Sequence, residues 1–163
     1  MTPSDSRALW IKHVKELEKI FGIKFKREYT LAEAITRRSW KSDHKEIDRN
    51  DNERLEFLGD SVLKLLLSEY LYTHPEHSEG DMTIMRAKIE KNETLAKIGK
   101  KLGIHPHILM GASEKNNEKA EEKVIADTLE AIMGAIYLDQ GLEPSRVVFQ
   151  DKILLTLLQI LLV

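Results

Sequence analysis

The stretch NERLEFLGDSVLKLL, Asn52 to Leu66, decides how this chain is read. Its leucines recur at helical spacing, yet three carboxylates interrupt them. Glu53, Glu56 and Asp60 stand three and then four residues apart. At about 100° per residue they fall within about 60° of one another on a helix, with Leu55, Leu58, Val62 and Leu66 on the far side. The acidic stripe is either a solvated face or half of a metal site. Like charges at i and i+4, such as Glu56 and Asp60, oppose the helix unless offset, and Lys64, four residues beyond Asp60, can supply part of the offset.

Outward from this segment the periodicity is helical almost everywhere. Trp10, Val14, Leu17 and Phe21 lie at i, i+4, i+7 and i+11, with Gly22 as the stop. Thr30 and Glu33 match a capping box that opens a short helix through Ile35. Residues 40–50, WKSDHKEIDRN, are polar and aperiodic and read as a loop. Asp51 or Asn52 then caps a helix to about Tyr72. Pro75 and HSEGD interrupt the pattern. Helices follow near Met82 to Lys91 and Glu93 to Leu102, ending at Gly103. Ile104 to Lys119 is irregular, a helix runs from about Ala120 to Leu138, and another ends the chain. With no alternating segments and no repeat, the expectation is one all-α domain over residues 1–163.

The composition is globular: 42% of the 163 residues are hydrophobic and 32% charged. The absence of cysteine excludes disulfides and thiolate metal sites and makes the cytoplasm the expected location. The charged N-terminus does not read as a signal peptide. Ile153 to Val163, ILLTLLQILLV, is too short to span a bilayer and reads as a buried or partner-covered helix, so no membrane is expected. Residues 1–40 carry nine Lys/Arg against five Asp/Glu, while the remainder carries sixteen against twenty-two. Within that acidic remainder, Thr83 to Lys101 is locally basic. Cations for phosphates beside acids for a metal would suit a phosphodiesterase, although such charge runs are also ordinary solvated faces.

A second acidic pair gives the first a partner. In EEKVIADTLEAIMGAIYLD, Asp127 and Glu130 sit at i and i+3 among Val124, Ile125, Leu129, Ile132, Met133 and Ile136. Ala131, Gly134 and Ala135 are small enough for close helix approach. If the two helices pack side by side, Glu56, Asp60, Asp127 and Glu130 converge, and four carboxylates that close cannot all stay ionised without a cation. All-oxygen donors select a hard ion, Mg²⁺ or Mn²⁺, and such a site suits phosphoryl chemistry. No organic cofactor is called for.

At these residues the chain resembles the catalytic domain of the ribonuclease III family. NERLEFLGDSVL (Asn52 to Leu63) is similar to the family signature and its continuation. EGDMTIMRA (Glu79 to Ala87), KNETLA (Lys91 to Ala96) and ADTLEAIMGAIYLD (Ala126 to Asp139) follow in family order, and the likeness covers about residues 15–155. The resemblance implies an all-helical homodimer that hydrolyses double-stranded RNA with Mg²⁺, leaving 5′-phosphates and short 3′ overhangs, in RNA maturation. It implies that Glu56, Asp60, Asp127 and Glu130 hold the metal, that Glu53 and Glu79 are accessory acids near the cleft, and that Phe57 lies at the dimer interface. The residues themselves leave Phe57 open as an ordinary core aromatic. Arg86, Lys88 and Lys91 are the candidates for phosphate contact.

Two departures stand out. Thr36-Arg37-Arg38-Ser39 occupies the place of the family's usual Thr-His-Arg-Ser. This is expected to alter local packing or add affinity for a nucleic-acid backbone while leaving the metal positions untouched. Nothing in the chain resembles the double-stranded-RNA-binding domain that many members carry, so low, strongly salt-dependent RNA affinity is expected. The rival readings are a catalytically inactive relative serving as an RNA-binding or ribosomal structural protein, and an unrelated carboxylate-metal hydrolase. Inactive relatives typically lose acids at the metal positions, whereas all four are present here.

Overall fold

The computed structural model describes residues 2–117 and 120–162, so the end of the stretch read as irregular, residues 118 and 119, lies outside the described residues. Ten α-helices are described: α1 (Pro3–Phe21), α2 (Glu28–Ala34), α3 (Arg38–Asp43), α4 (Glu53–Tyr72), α5 (Glu79–Ile89), α6 (Asn92–Leu102), α7 (Ala112–Lys115), α8 (Glu121–Gln140), α9 (Leu142–Val148) and α10 (Leu155–Leu161). A 3₁₀ turn at His105–His107 precedes α7, and a π-helical stretch, Phe149–Leu154, joins α9 to α10. Among the described residues there is no strand, only an isolated bridge between Thr36 and Leu109.

Helix α8 is the axis. It is apolar nearly all round, so it must be buried all round, and α4, α6, α2 and α9 pack against it. Ile125, Leu129, Ile132, Met133 and Ile136 are fully enclosed. The stripe Trp10, Val14, Leu17 and Phe21 closes the core from α1, and Gly22, at φ 65°, ends that helix in the left-handed conformation. At the other end Ile153, Leu154 and Leu157 are buried, whereas Leu155, Leu158, Leu161 and Leu162 are exposed. Among the described residues no helix is long and apolar enough to cross a membrane.

The α4–α8 contact is a backbone contact. A Cβ on Gly59 would lie 1.7 Å from the carbonyl oxygen of Glu130, and one on Gly134 would lie 2.4 Å from that of Leu55. Only two glycines facing each other let these helices approach so closely. The approach sets the acids of α4 beside those of α8.

Several local expectations give way to tertiary contacts. Thr30 and Glu33 do not form a capping box. Helix α2 begins at Glu28, and its N-terminus is served from across the fold by the buried Asp139, whose carboxylate accepts the backbone N–H of Lys26 (2.8 Å) and Arg27 (3.0 Å). Asn52 occupies the cap position of α4 but makes no capping bond. It is fully buried, donating Nδ2 to the Ala34 carbonyl (3.1 Å) and its backbone N–H to that of Thr36 (2.8 Å). The start of α4 is thereby tied to the end of α2. Residues 40–50, read as a loop, begin inside α3, which starts at Arg38. Helix α5 starts before Met82, because Ser78 and Asp81 form a reciprocal capping box.

The glycine contact is testable. Gly59→Ala should destabilise the fold by about 3 kcal/mol in denaturant titrations, since overpacking against a carbonyl cannot be relieved by a rotamer change. Gly80→Ala, where the nearest atom is the flexible Ser78 Oγ at 3.8 Å, should be neutral or stabilising by up to about 1 kcal/mol.

Candidate metal centre

Helices α4 and α8 form the walls of an open cleft of about 590 Å³ lined by Arg37, Glu53, Glu56, Phe57, Asp60, Asn92, Lys123, Asp127 and Glu130. Five of the six expected acids are therefore in one place. Glu56, Asp127 and Glu130 come closest, each presenting a carboxylate oxygen within 4.8 Å of the others. Asp60 lines the same cleft, but its carboxylate accepts from Lys64 Nζ at 2.7 Å, the offset anticipated from their spacing. Glu53 stands at the rim, paired with the Arg38 guanidinium. Glu79 is not brought to this cleft. It begins α5, exposed, and accepts the hydroxyl proton of Thr83 (3.1 Å).

The electrostatics are those of a cluster short of positive charge. Burial first, and then Asp60, Asp127 and Glu56, push the Glu130 carboxyl up to about 8. Burial and Asp127 also raise Glu56. Asp127, buried on the core helix, is the best-served acid. Lys123, one turn earlier, donates to both its oxygens at 2.7 and 3.0 Å, and Arg37 Nη1 donates to Oδ2 at 3.2 Å. A buried carboxylate needs such partners.

Lys123, Asn92 and Arg37 were missed as cleft residues. The i, i+4 spacing of Lys123 and Asp127 was a usable signal; nothing local points to Asn92. Arg37 corrects an expectation. It touches one of the acids expected to hold the metal, because its guanidinium is turned inward onto Asp127, with only 12% of the side chain exposed. Burial disfavours its charge, but Glu114 and Asp127 more than offset this and hold its proton tighter than usual.

The phosphate-contact candidates separate. Arg86 donates Nη1 to Ser68 Oγ (3.0 Å) and lies 3.7 Å from Glu90, while Lys88 and Lys91 are exposed. Phe57 is 81% exposed, which rules out an ordinary core aromatic.

An all-oxygen donor set whose members repel one another fits a hard divalent cation. In the metal-free chain the raised pKa means that folded Glu130 keeps a proton the unfolded chain has released. The contribution of Glu130 to stability is therefore greatest below the ordinary carboxyl range and falls as pH rises through that range toward about 8. Glu130→Gln should remove this fall. Thermal melts in chelator should show the variant more stable by on the order of 2 kcal/mol at high pH, discounted for residual solvent, and little changed in acid.

The family model for ribonuclease-III-like domains matches residues 28–157. Ribonuclease 3 of Idiomarina loihiensis is 45% identical over 133 residues, 80% of this chain and 55% of the relative; that of Nitratiruptor sp. is 40% identical over 138 residues, 83% and 58%. The chain thus spans little more than half the length of these relatives. Among solved structures, a nuclease domain of ribonuclease III from Campylobacter jejuni, described as flexible in a region involved in dimer formation, superposes with a TM-score of 0.76 at 36% identity, covering 86% of this chain and 95% of that one. Dicer from Pichia stipitis follows with a TM-score of 0.58 at 29% identity, covering 85% and 61%. On its helical fold, its acidic cleft and these matches, the chain belongs to the ribonuclease-III-like family.

Proposed function

We propose that this chain is the nuclease portion of a double-stranded-RNA endoribonuclease that works as a homodimer with Mg²⁺, for which Mn²⁺ can substitute. The observation that carries the reading is the convergence of Glu56, Asp127 and Glu130, with Asp60 beside them, in an open cleft. These four carboxylates would hold the ion. Bound there, a divalent ion supplies the Lewis acidity that activates water and offsets charge on the leaving oxygen of a phosphodiester.

The chain's own residues prepare that cleft. Lys123 holds both oxygens of Asp127, fixing the carboxylate before a ligand arrives. Lys64 does the same for Asp60. Glu130, kept protonated near neutrality by burial and then by its acidic neighbours, has a proton to release when a cation replaces it. Glu53, bonded to Arg38, shapes the rim and serves as an accessory acid; Glu79 completes the proposed set from outside this cleft. The exposed Lys88 and Lys91 remain candidates for phosphate contact, with Arg86 committed to Ser68.

The dimer follows from Phe57, a large aromatic left in the open on the helix that carries the acids. A twofold pair presents two identical clefts, one to each strand of an antiparallel duplex. Hydrolysis that breaks the P–O3′ bond would leave a 3′-hydroxyl and a 5′-phosphate, and offset cuts on the two strands would leave short 3′ overhangs. A-form RNA exposes a wide, shallow minor groove, so recognition rests on shape more than on sequence.

Incubation with long duplex RNA and Mg²⁺ at low salt tests the reading: staggered cleavage of duplex, with single strands spared, is expected. Duplex binding without cleavage would favour an inactive RNA-binding relative. Asp127→Ala or Glu130→Ala should lower cleavage by at least about 10³-fold with the dimer intact, because interactions needed only for the reaction are lost. Phe57→Ala should shift sedimentation toward monomer; an unchanged dimer would remove Phe57 from the interface.

A further inference from the structure

Arg37 belongs to the acidic cleft in a way the proposed chemistry does not use. Its guanidinium is divided between two acids. Nη2 donates to Glu114 Oε1 at 2.9 Å, and Nε is shared between the two oxygens of Glu114 at 3.3 and 3.4 Å, so two nitrogens of the guanidinium face this carboxylate. Nη1 donates once to Asp127, at 3.2 Å. Most of the guanidinium's hydrogen bonding is thus committed to Glu114, and the smaller part to the cleft.

The backbone around this bridge is held. Arg37 N–H donates to the Leu109 carbonyl (3.0 Å) and Leu109 N–H to that of Ile35 (2.8 Å). Two residues on, the Ser39 hydroxyl donates to Glu114 and accepts the Gly111 N–H at 2.9 Å. Asp43 accepts the Ala112 N–H at 3.0 Å. A Cβ on Gly111 would lie 2.5 Å from the Ser39 carbonyl, so the approach of the two segments depends on glycine there. Lys123 is 61% exposed at its side chain, whereas Arg37, bonded to two acids, is enclosed.

We infer that Arg37 is a resident counter-cation of the cleft that competes with a divalent ion for Asp127, and that Glu114 sets the strength of this competition by drawing the guanidinium away. The inference rests on the proposal that the cleft holds such an ion. An ion bonding Asp127 shares that carboxylate with a fixed positive charge, and in a partly enclosed site this repulsion lowers affinity. Glu114 is held below its ordinary pKa: burial opposes its charge, but hydrogen bonds from Arg37 and Ser39 outweigh that, so its counter-charge is present at neutral pH. Remove that charge, and all of Arg37's field falls on Asp127. A role limited to packing has no such sign: both variants would then loosen Asp127 and weaken the ion.

The test is Mn²⁺ binding to the purified chain without RNA, by calorimetry and by the electron-spin signal of free Mn²⁺. Arg37→Gln should bind Mn²⁺ about fivefold tighter than the parent, and Glu114→Gln about threefold weaker. In the double variant the effect of Glu114→Gln should shrink toward nothing, because there is no guanidinium left to draw away. Should Arg37→Gln fail to fold, judged by circular dichroism, the uncharged Arg37→Met takes its place and must show the same sign: unchanged or weaker Mn²⁺ binding overturns the inference. It is also overturned if both single variants weaken binding, or if the Glu114 effect is equal with and without Arg37. A parent that binds no Mn²⁺ overturns the metal reading itself and this inference with it.

Discussion

Everything at the proposed site depends on the backbone contact between α4 and α8 at Gly59 and Gly134. The glycine faces let the carbonyl oxygens of Glu130 and Leu55 come where side chains would otherwise stand. Glu56 of α4 and Asp127 and Glu130 of α8 then meet at a distance that ionised carboxylates do not tolerate alone, with Asp60 lining the same cleft. The core makes the approach permanent. Leu55, Val62 and Leu66 of α4 and Leu129, Ile132 and Ile136 of α8 are buried in the same apolar cluster, so the helices cannot part to relieve the repulsion. Packing stabilises an electrostatic conflict, and that conflict is what the proposed cation would relieve.

The rest of the chain manages that conflict. Lys64, Lys123 and Arg37 each take one acid of the cleft, and Glu130 escapes by keeping its proton. The three cations differ in permanence. Lys64 and Asp60 are both well exposed, a pair that contributes little to stability, whereas Lys123 is exposed but its partner Asp127 is buried. Arg37 is enclosed and bonded at both ends. Two of the four acids thus have partners that can leave, which suits a cleft whose proposed role is to admit an ion and a polyanion.

Much of the fold and of the acid cluster was legible because both rest on periodicity. Acids recurring at i, i+3 and i+7 inside an apolar helix are conspicuous, and Asp127 and Glu130 stand out even more on a helix with no polar face to spare. The small residues near Gly134 signalled close approach, although Gly59, its counterpart, passed unnoticed. What escaped depends on distance in space. Asp139 serves the start of α2 from more than a hundred residues away, and Asn52 leaves its capping duty to reach Ala34. Arg37 reads in the sequence only as a change in local packing or a cation for a nucleic-acid backbone, because its partners, Glu114 and Asp127, lie in segments that only the fold brings together. The exposure of Phe57 was likewise undecidable from a helix wheel, since its position falls between the acidic and apolar faces.

The central claim is that the α4–α8 apposition exists to hold a divalent ion. The most direct measurement is an anomalous difference map from crystals of the chain grown with Mn²⁺. The account requires a peak in the cleft within about 2.2 Å of carboxylate oxygens from both helices, Glu56 or Asp60 on one side and Asp127 or Glu130 on the other. A cleft without anomalous density at saturating Mn²⁺, or a peak bound by the acids of one helix alone, would contradict it.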